Sequence, residues 1–551
     1  MIHFLDISIS ALYISAILAV GLWAGLKHKG NVAKGESEAG AYFLAGKTLR
    51  WPTIGLALFA TNISCVHLVS LAQSGFDTGL LNGNFEWMAA FILILLALFF
   101  VPFYIRSGVS TLPDFLEKRY DRASRDWLAF ISVLSAIIVH ISFSLLAGGI
   151  VLHTLFGVNM YVSVIGISVI TAIYTIAGGL KAVVVTESIQ TIVLLFGAIV
   201  ISIAAYNKMG GWQPMVDVLQ SSNQVDKLSM MRSHGDESGM PWYAVFLGYP
   251  VLGIWYWCAD QTIVQRVLGA KDENHARTGP LFCGFIKILP VFIFVLPGLF
   301  AYTLSKTGGL DVSALTTTKG GVEVVNSKGI YTLMITQLLP QGLIGVLVAA
   351  LLSGLMSQIS GALNSISTLV SYDIYQRRNP QASDKKLINV GKISAGFAIG
   401  LSLMLLPLLN SYESIFNGLN DIIAHIAPPI TCVFLLGIFW EKASAESAKF
   451  TLWIGSALGA FVFAINKLYP DTVMGQIPFM MMAFYLFCFC ALLQVILSYR
   501  FPVDHSQKSA GLCWKTPLEA LDTPGWRGLG NYKVLSVLLF SIMSILFWVF
   551  R

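Results

Sequence analysis

Charge is scarce in this chain. Of 551 residues only 12% are charged and 56% are hydrophobic, and the mean hydropathy is +0.73. A water-soluble domain carries about a quarter charged residues. The deficit runs along the whole chain, which excludes a separate soluble domain and predicts an all-α integral membrane protein. Cysteine is sparse too: the seven residues 65, 258, 283, 432, 488, 490 and 513 are scattered, mostly within apolar stretches, and form no disulfide framework or metal-ligand spacing. There is no HExxH, no GxSxG, no phosphate-cradling loop and no paired-carboxylate motif on a span, so no enzyme is expected. Gly178-Gly179 reads as a turn between helices. The net charge of +6 sits in short loops, where topology requires it, and does not indicate a nucleic-acid partner. No basic n-region precedes the first apolar stretch, so a cleaved leader is not expected.

What is present is a series of apolar runs, each long enough to cross a bilayer. Fourteen are counted, at about 7–26, 51–73, 84–105, 127–152, 160–180, 188–205, 241–260, 280–304, 345–372, 388–410, 413–438, 447–467, 475–499 and 534–550. Basic residues cluster in alternate loops: Lys27 to Arg50, Arg106 to Arg125, Arg266 to Arg277, Arg377 to Lys386 and Arg500 to Lys533. The positive-inside rule makes that side cytoplasmic and puts both termini outside. Residues 330–344, apolar but holding Pro340 and Gly342, read as a re-entrant or surface helix on the outer side.

The run 51–73 carries Ala60-Thr61-Asn62-Ile63-Ser64-Cys65 and then His67 in its middle. Polar groups at that depth usually face a cavity or a site, and broken helices mark binding sites in secondary transporters. Span 7 also holds helix-disturbing residues, Gly248, Pro250 and Gly253. Spans 2–6 and 7–11 number five each, and an odd number per repeat forces the halves into opposite orientation. The expected fold is therefore a 5+5 inverted-repeat core within fourteen helices. Residues 1–50 form the first span and a cytoplasmic loop, and 51–205 the first repeat. An extracytoplasmic loop covers 206–240, the second repeat 241–440, and three last spans 441–551.

An ordered set of motifs carries a resemblance. Tyr42-Phe43-Leu44-Ala45-Gly46-Lys47, Asn62-Ile63-Ser64, Phe85-Glu86-Trp87 and Ala177-Gly178-Gly179-Leu180 lie in the first half. Trp255-Tyr256-Trp257-Cys258-Ala259-Asp260-Gln261, Val264-Gln265-Arg266, Asn364-Ser365, Asp373-Ile374-Tyr375, Pro428-Pro429 and Phe434 to Trp440 lie in the second. From about residue 7 to 467 the chain resembles the sodium/solute symporter family, specifically its sodium/glucose cotransporter branch. The resemblance implies a LeuT-like fold and sodium-driven import of a monosaccharide such as glucose or galactose. It also implies a plasma-membrane location, here a bacterial inner membrane, with sodium, sugar and lipid as partners and no further cofactor.

By resemblance, Asn62, His67, Glu86, Tyr256, Trp257, Lys287 and Asn420 match positions that touch or cap sugar. Tyr256 matches an inner-gate tyrosine, and Phe85 and Phe416 match outer-gate aromatics. A sugar needs bidentate acceptors, donors and an aromatic plate. Glu86 and Lys287, each costly alone in a membrane, are expected to compensate each other. Two departures bear on the solute: Asn420 stands where the family has glutamine, and Gly253 where it has a larger polar residue, which predicts an enlarged pocket. The family's sodium site maps to the carbonyls of Ala60 and Ile63, to Gly354 and Ser357, and to Gln358, where a second serine is common. Gln358 could offer its oxygen or place its NH₂ where the ion should sit. Glu187 matches an aspartate suggested as a sodium exit ligand. The rival expectations are a proton-driven or uncoupled sugar or polyol carrier, or a sugar sensor, of the same fold.

Overall fold

The computed structural model describes residues 3–29, 37–236, 238, 240–319, 322–410, 415–503 and 511–551. Among these residues the architecture is helical, apart from one short antiparallel hairpin, Thr316–Lys319 paired with Val322–Val325 in the loop after residue 305.

Among the described residues eleven helices, not fourteen, are long and apolar enough to cross a membrane. Three of the expected spans are not separate long helices, each for a local reason. The run 51–73 is two pieces, Trp51–Asn62 and Cys65–Thr78, and the second continues into the next span. The run 241–260 is a short helix, Trp242–Ile254, followed by a widened turn at Trp255–Ala259. The runs 160–180 and 188–205 form one helical stretch, Met160–Met209, bent at Gly179. There φ is 60° and ψ −158°, a backbone state open to glycine, and a Cβ would stand 2.3 Å from the Tyr42 carbonyl oxygen.

Span 7 is interrupted later than its sequence suggests. The helix runs unbroken past Gly248, Pro250 and Gly253 and leaves helical geometry only at Asp260 (φ −88°, ψ 120°). Just beyond Pro250 the helix makes a lateral contact, where the Thr431 hydroxyl donates to the Val251 carbonyl at 2.7 Å. Both interruptions end on a residue that caps the next helix. Ser64 Oγ accepts from the Val66 N–H, and Asp260 Oδ1 accepts from the Thr262 N–H. Residues Ile330–Leu338 form a short, largely buried helix of nine residues rather than a span.

The centre of the molecule is the helix Leu343–Leu369, buried almost throughout. Its start is tied to the N-terminal helix by Asp6, whose Oδ1 accepts from the N–H groups of Gly342 (2.7 Å) and Gly345 (2.8 Å). A carboxylate at a helix N-terminus also meets the positive end of the dipole. Elsewhere helices meet through small residues, which permit close approach where lipid supplies no hydrophobic drive. The helices Cys65–Thr78 and Leu296–Thr307 cross at Gly75 and Gly298. A Cβ on Gly298 would fall 1.9 Å from the Ala72 carbonyl oxygen, and one on Gly75 2.0 Å from that of Val295.

Gly298→Val is therefore expected to destabilise the fold by more than about 3 kcal/mol and to abolish the monodisperse peak in detergent size-exclusion chromatography. Gly400→Val, where an added Cβ meets nothing within 4 Å, should leave that peak intact.

Candidate functional site

The helix begun at Trp51 stops at Asn62. Ile63 (φ −82°, ψ 102°) and Ser64 (φ −104°, ψ 177°) are extended, and the helix resumes at Cys65. The restart is sealed locally by a capping box. Ser64 Oγ accepts from the Val66 N–H, and His67 Nδ1 accepts from the Ser64 N–H at 3.3 Å. His67 thus has a structural partner while its side chain lines the cavity beside the break.

That cavity encloses about 710 Å³ of space, part of it open solvent. Four separate segments place polar groups on its wall. Glu86 comes from the first turn of Gly83–Leu95, Lys287 from the end of Glu273–Ile286, Asn62 from the break, and Tyr256 from the widened turn. Lys287 Nζ donates to Glu86 Oε2 and, at 2.6 Å, to Asn62 Oδ1; Asn62 Nδ2 donates to the Tyr256 hydroxyl at 3.2 Å. Glu86 and Lys287 are each 1% exposed. Unpaired, either would be a buried charge; together they neutralise each other and still present acceptor and donor atoms to the cavity. Lys287 Nζ also sits 5.6 Å from the centre of the Trp257 ring. Trp257, His67 and Asn420 line the same cavity, so all seven residues expected to meet a sugar converge on it.

Of the expected gate residues, Phe85 lines the cavity and stacks on Phe479, with ring centroids 6.3 Å apart. Tyr256 forms part of the wall. The side chain of Phe416 lies outside the described residues. Gly253 also lines the cavity but does not enlarge it. A Cβ there would lie 2.8 Å from the ring of Tyr249 and 2.9 Å from Ile92, so the space is already filled. Tyr249 is held by donating its hydroxyl to the Phe85 carbonyl at 2.9 Å. It was not singled out from the sequence, because a tyrosine in an aromatic-rich span carries no distinguishing signal.

The residues expected to hold sodium also adjoin the break. Ser357 Oγ donates to the Ala60 carbonyl at 2.8 Å and lies 3.1 Å from the Gly354 carbonyl oxygen. Gly354 allows the contact: a Cβ would lie 3.0 Å from Cys65 N and from the Ser64 carbonyl carbon. Ile63 is the extended residue between the two half-helices. Gln358 follows Ser357, and its Nε2 lies 2.5 Å from Nδ1 of His140, so the NH₂ group is engaged by a neighbour. Its Oε1 is buried and has no hydrogen-bond partner among the described residues. These are hard oxygen donors suited to a hard cation. His140 was missed, although a histidine within the apolar run 127–152 gives the same signal as His67.

Glu187 stands apart from this set. It is fully buried and bound to Arg266, with Nη2 donating at 2.6 Å to Oε1 and Nε at 3.3 Å to Oε2. The Thr61 hydroxyl donates to Oε1 at 3.0 Å, which ties the pair to the end of the first half-helix.

A sequence model of the sodium:solute symporter family matches residues 42–455. The chain belongs to this family. A sodium/mannose cotransporter of Bos taurus is 33% identical over 487 residues, covering 86% of this chain and 81% of the relative. Sodium/glucose cotransporter 1 of Ovis aries is 33% identical over 475 residues, covering 82% and 71%. The solved structure of a Na⁺-coupled sialic acid symporter, substrate-bound and outward-open, has a TM-score of 0.76 at 22% identity, covering 91% of this chain and 99% of that one. That likeness is one of fold. Membership makes the protein a multi-pass solute transporter and not an enzyme.

Within this family member the buried pair has a measurable signature. Lys287→Met, which strands Glu86, should cost about 3–5 kcal/mol in stability. Adding Glu86→Gln should recover most of it, because no uncompensated charge remains. Thermal unfolding of the purified protein in detergent compares the two.

Proposed function

We propose that the protein is a sodium-coupled symporter that imports a monosaccharide, such as glucose or galactose, by alternating access across the plasma membrane. One observation carries the reading. The wall of a single cavity holds a carboxylate, an ammonium, three amides and aromatic rings, and this cavity abuts the helix break where Ser357 meets the Ala60 carbonyl. The two cotransporter relatives, named for mannose and glucose, favour a hexose over other solutes.

The sugar site consists of Asn62, His67, Glu86, Tyr256, Trp257, Lys287 and Asn420. Glu86 accepts from ring hydroxyls, Lys287 and Asn62 donate to them, and Tyr256 closes the inner side, with Phe85 and Phe416 on the outer. Sodium is held by the Ala60 and Ile63 carbonyls with Gly354, Ser357 and Gln358, and Glu187 borders its exit. The ion draws the two half-helices onto Leu343–Leu369 and keeps the sugar pocket formed. Sugar then closes the outer aromatics, the bundle rocks, and both solutes leave inward. The fold is read as fourteen crossings with a 5+5 inverted-repeat core, in which the broken spans 2 and 7 occupy equivalent positions, and both termini face outward. The membrane potential adds about 2.3 kcal/mol per charge per 100 mV to the driving force.

Uptake of labelled glucose, galactose and mannose into proteoliposomes tests this, with an inward sodium gradient and with choline in its place. Sodium-dependent uptake of at least one hexose is expected. Equal uptake in both salts would leave a sugar carrier without sodium coupling, and no uptake of any hexose would remove the sugar assignment. Ser357→Ala should raise half-saturating sodium about tenfold, the worth of roughly one lost ligand contact, whereas Tyr256→Ala should raise the sugar KM with a smaller effect on sodium.

A further inference from the structure

A primary amide has an oxygen acceptor and an NH₂ donor of nearly equal shape, so the orientation of Gln358 decides whether it serves or repels a cation. Three buried side chains fix that orientation. Gln358 Nε2 lies 2.5 Å from His140 Nδ1, and His140 Nε2 lies 2.5 Å from Asp260 Oδ2. A neutral imidazole carries one N–H, and the Asp260 carboxylate can only accept. The hydrogen therefore sits on Nε2, and Nδ1 is bare. A bare Nδ1 accepts, so it takes a hydrogen from the amide nitrogen of Gln358 and not from its oxygen. Asp260 is anchored in turn: its Oδ1 accepts from the Thr262 N–H at 2.7 Å, as the cap of the helix Gln261–Leu268. The Tyr256 ring packs beside the imidazole, with ring centroids 5.7 Å apart. The consequence is a residue only 5% exposed whose NH₂ is committed to His140 and whose Oε1 is buried, lacks a hydrogen-bond partner among the described residues, and sits one position beyond Ser357.

We propose that His140 and Asp260 are positioning residues for the ion: through the imidazole they hold the Gln358 amide with its carbonyl oxygen free to bind sodium. This role rests on the sodium-coupled reading above. It also accounts for an amide where a hydroxyl would otherwise serve, since the relay gives the amide one polarity. The break at Asp260 in the second interrupted segment thereby orients a ligand of an ion held at the first.

Asp260→Asn separates this role from a structural one. Asparagine is as good a helix cap as aspartate, so Oδ1 can keep the Thr262 N–H. Its NH₂, however, faces His140 Nε2, which must then accept; the hydrogen moves to Nδ1, and Gln358 turns its oxygen toward His140. The readout is stabilisation of the purified full-length protein against heat by sodium chloride, with potassium chloride as the matched salt. Asp260→Asn should raise half-saturating sodium about tenfold or more, the effect of losing one ligand. In a Gln358→Ser background, where a hydroxyl needs no orientation, the same change should leave half-saturating sodium unaltered. An equal shift in both backgrounds, or no shift in either, would overturn the proposal while leaving sodium binding in place. Absence of any sodium response in the unaltered protein would overturn the sodium reading and this role with it. Should Asp260→Asn not fold, His140→Leu makes the same comparison, because it removes the acceptor that holds the NH₂ group.

Discussion

A backbone that leaves helical geometry inside an apolar layer exposes carbonyl and N–H groups to a medium that cannot hydrogen-bond them. The stretch from Asn62 to Cys65 does this, and most of the site is arranged around the resulting demand. Part is met locally: Ser64 and His67 satisfy N–H groups at the restart of the helix. Part is met across the core, where the Ser357 hydroxyl covers the Ala60 carbonyl and Gly354 lets the two helices approach closely enough for the contact. On the helix that carries Ser357, the buried Oε1 of Gln358 has no hydrogen-bond partner among the described residues, and the sodium of the proposed mechanism would be its counterpart.

The same constraint governs charge. The buried ionic groups around the break are arranged as pairs or chains. Glu86 is bound to Lys287, Glu187 to Arg266, and Asp260 to His140. Each joins a residue of one sequence half to a residue of the other, so each ties the two halves together in the buried interior. The Glu86–Lys287 pair opens onto the cavity and hands polarity to it through Asn62 and Tyr256, and His140 reaches the same cavity from the third pair. The Glu187–Arg266 pair is sealed, with both members fully buried and Thr61 as its link to the break. Chemically similar pairs thus have different availability to a solute, set by which face of the half-helix they adjoin.

Much of this was legible in the sequence, for a physical reason. Polar side chains are expensive at bilayer depth, so Asn62, Ser64, His67 and Lys287 stand out against apolar runs without any structure. Boundaries were legible to a lesser degree. Pro250 marks a disturbance in span 7, yet the helix continues through it and stops only at Asp260, which carries the stop signal as the cap of the next helix. The count of fourteen spans met a similar limit. Apolar length alone does not reveal that a span is two half-helices, or that Gly179 joins two spans into one bent stretch. Pairings between distant segments were the least legible. Nothing at Gly253 announces that Tyr249 fills its space, and nothing at Gln358 announces His140, since each contact is set by tertiary approach.

The position of Gln358 has a consequence for the way ion and solute communicate. Coupling requires that both ligands favour the same arrangement of the two halves, by contacts present in one state and weakened in another. The Ala60–Ser357 contact and the Gln358–His140–Asp260 chain share one helix, Leu343–Leu369, while their other ends lie on the first and second broken segments. Asn62 and Tyr256, which line the cavity, belong to those same two segments and bond each other. In the proposed mechanism, a movement that parts the segments would strain the ion contacts and the cavity wall together. That mechanism needs no separate transmission pathway between the two sites, because the two short interruptions that would supply the binding groups are also the parts it sets in motion.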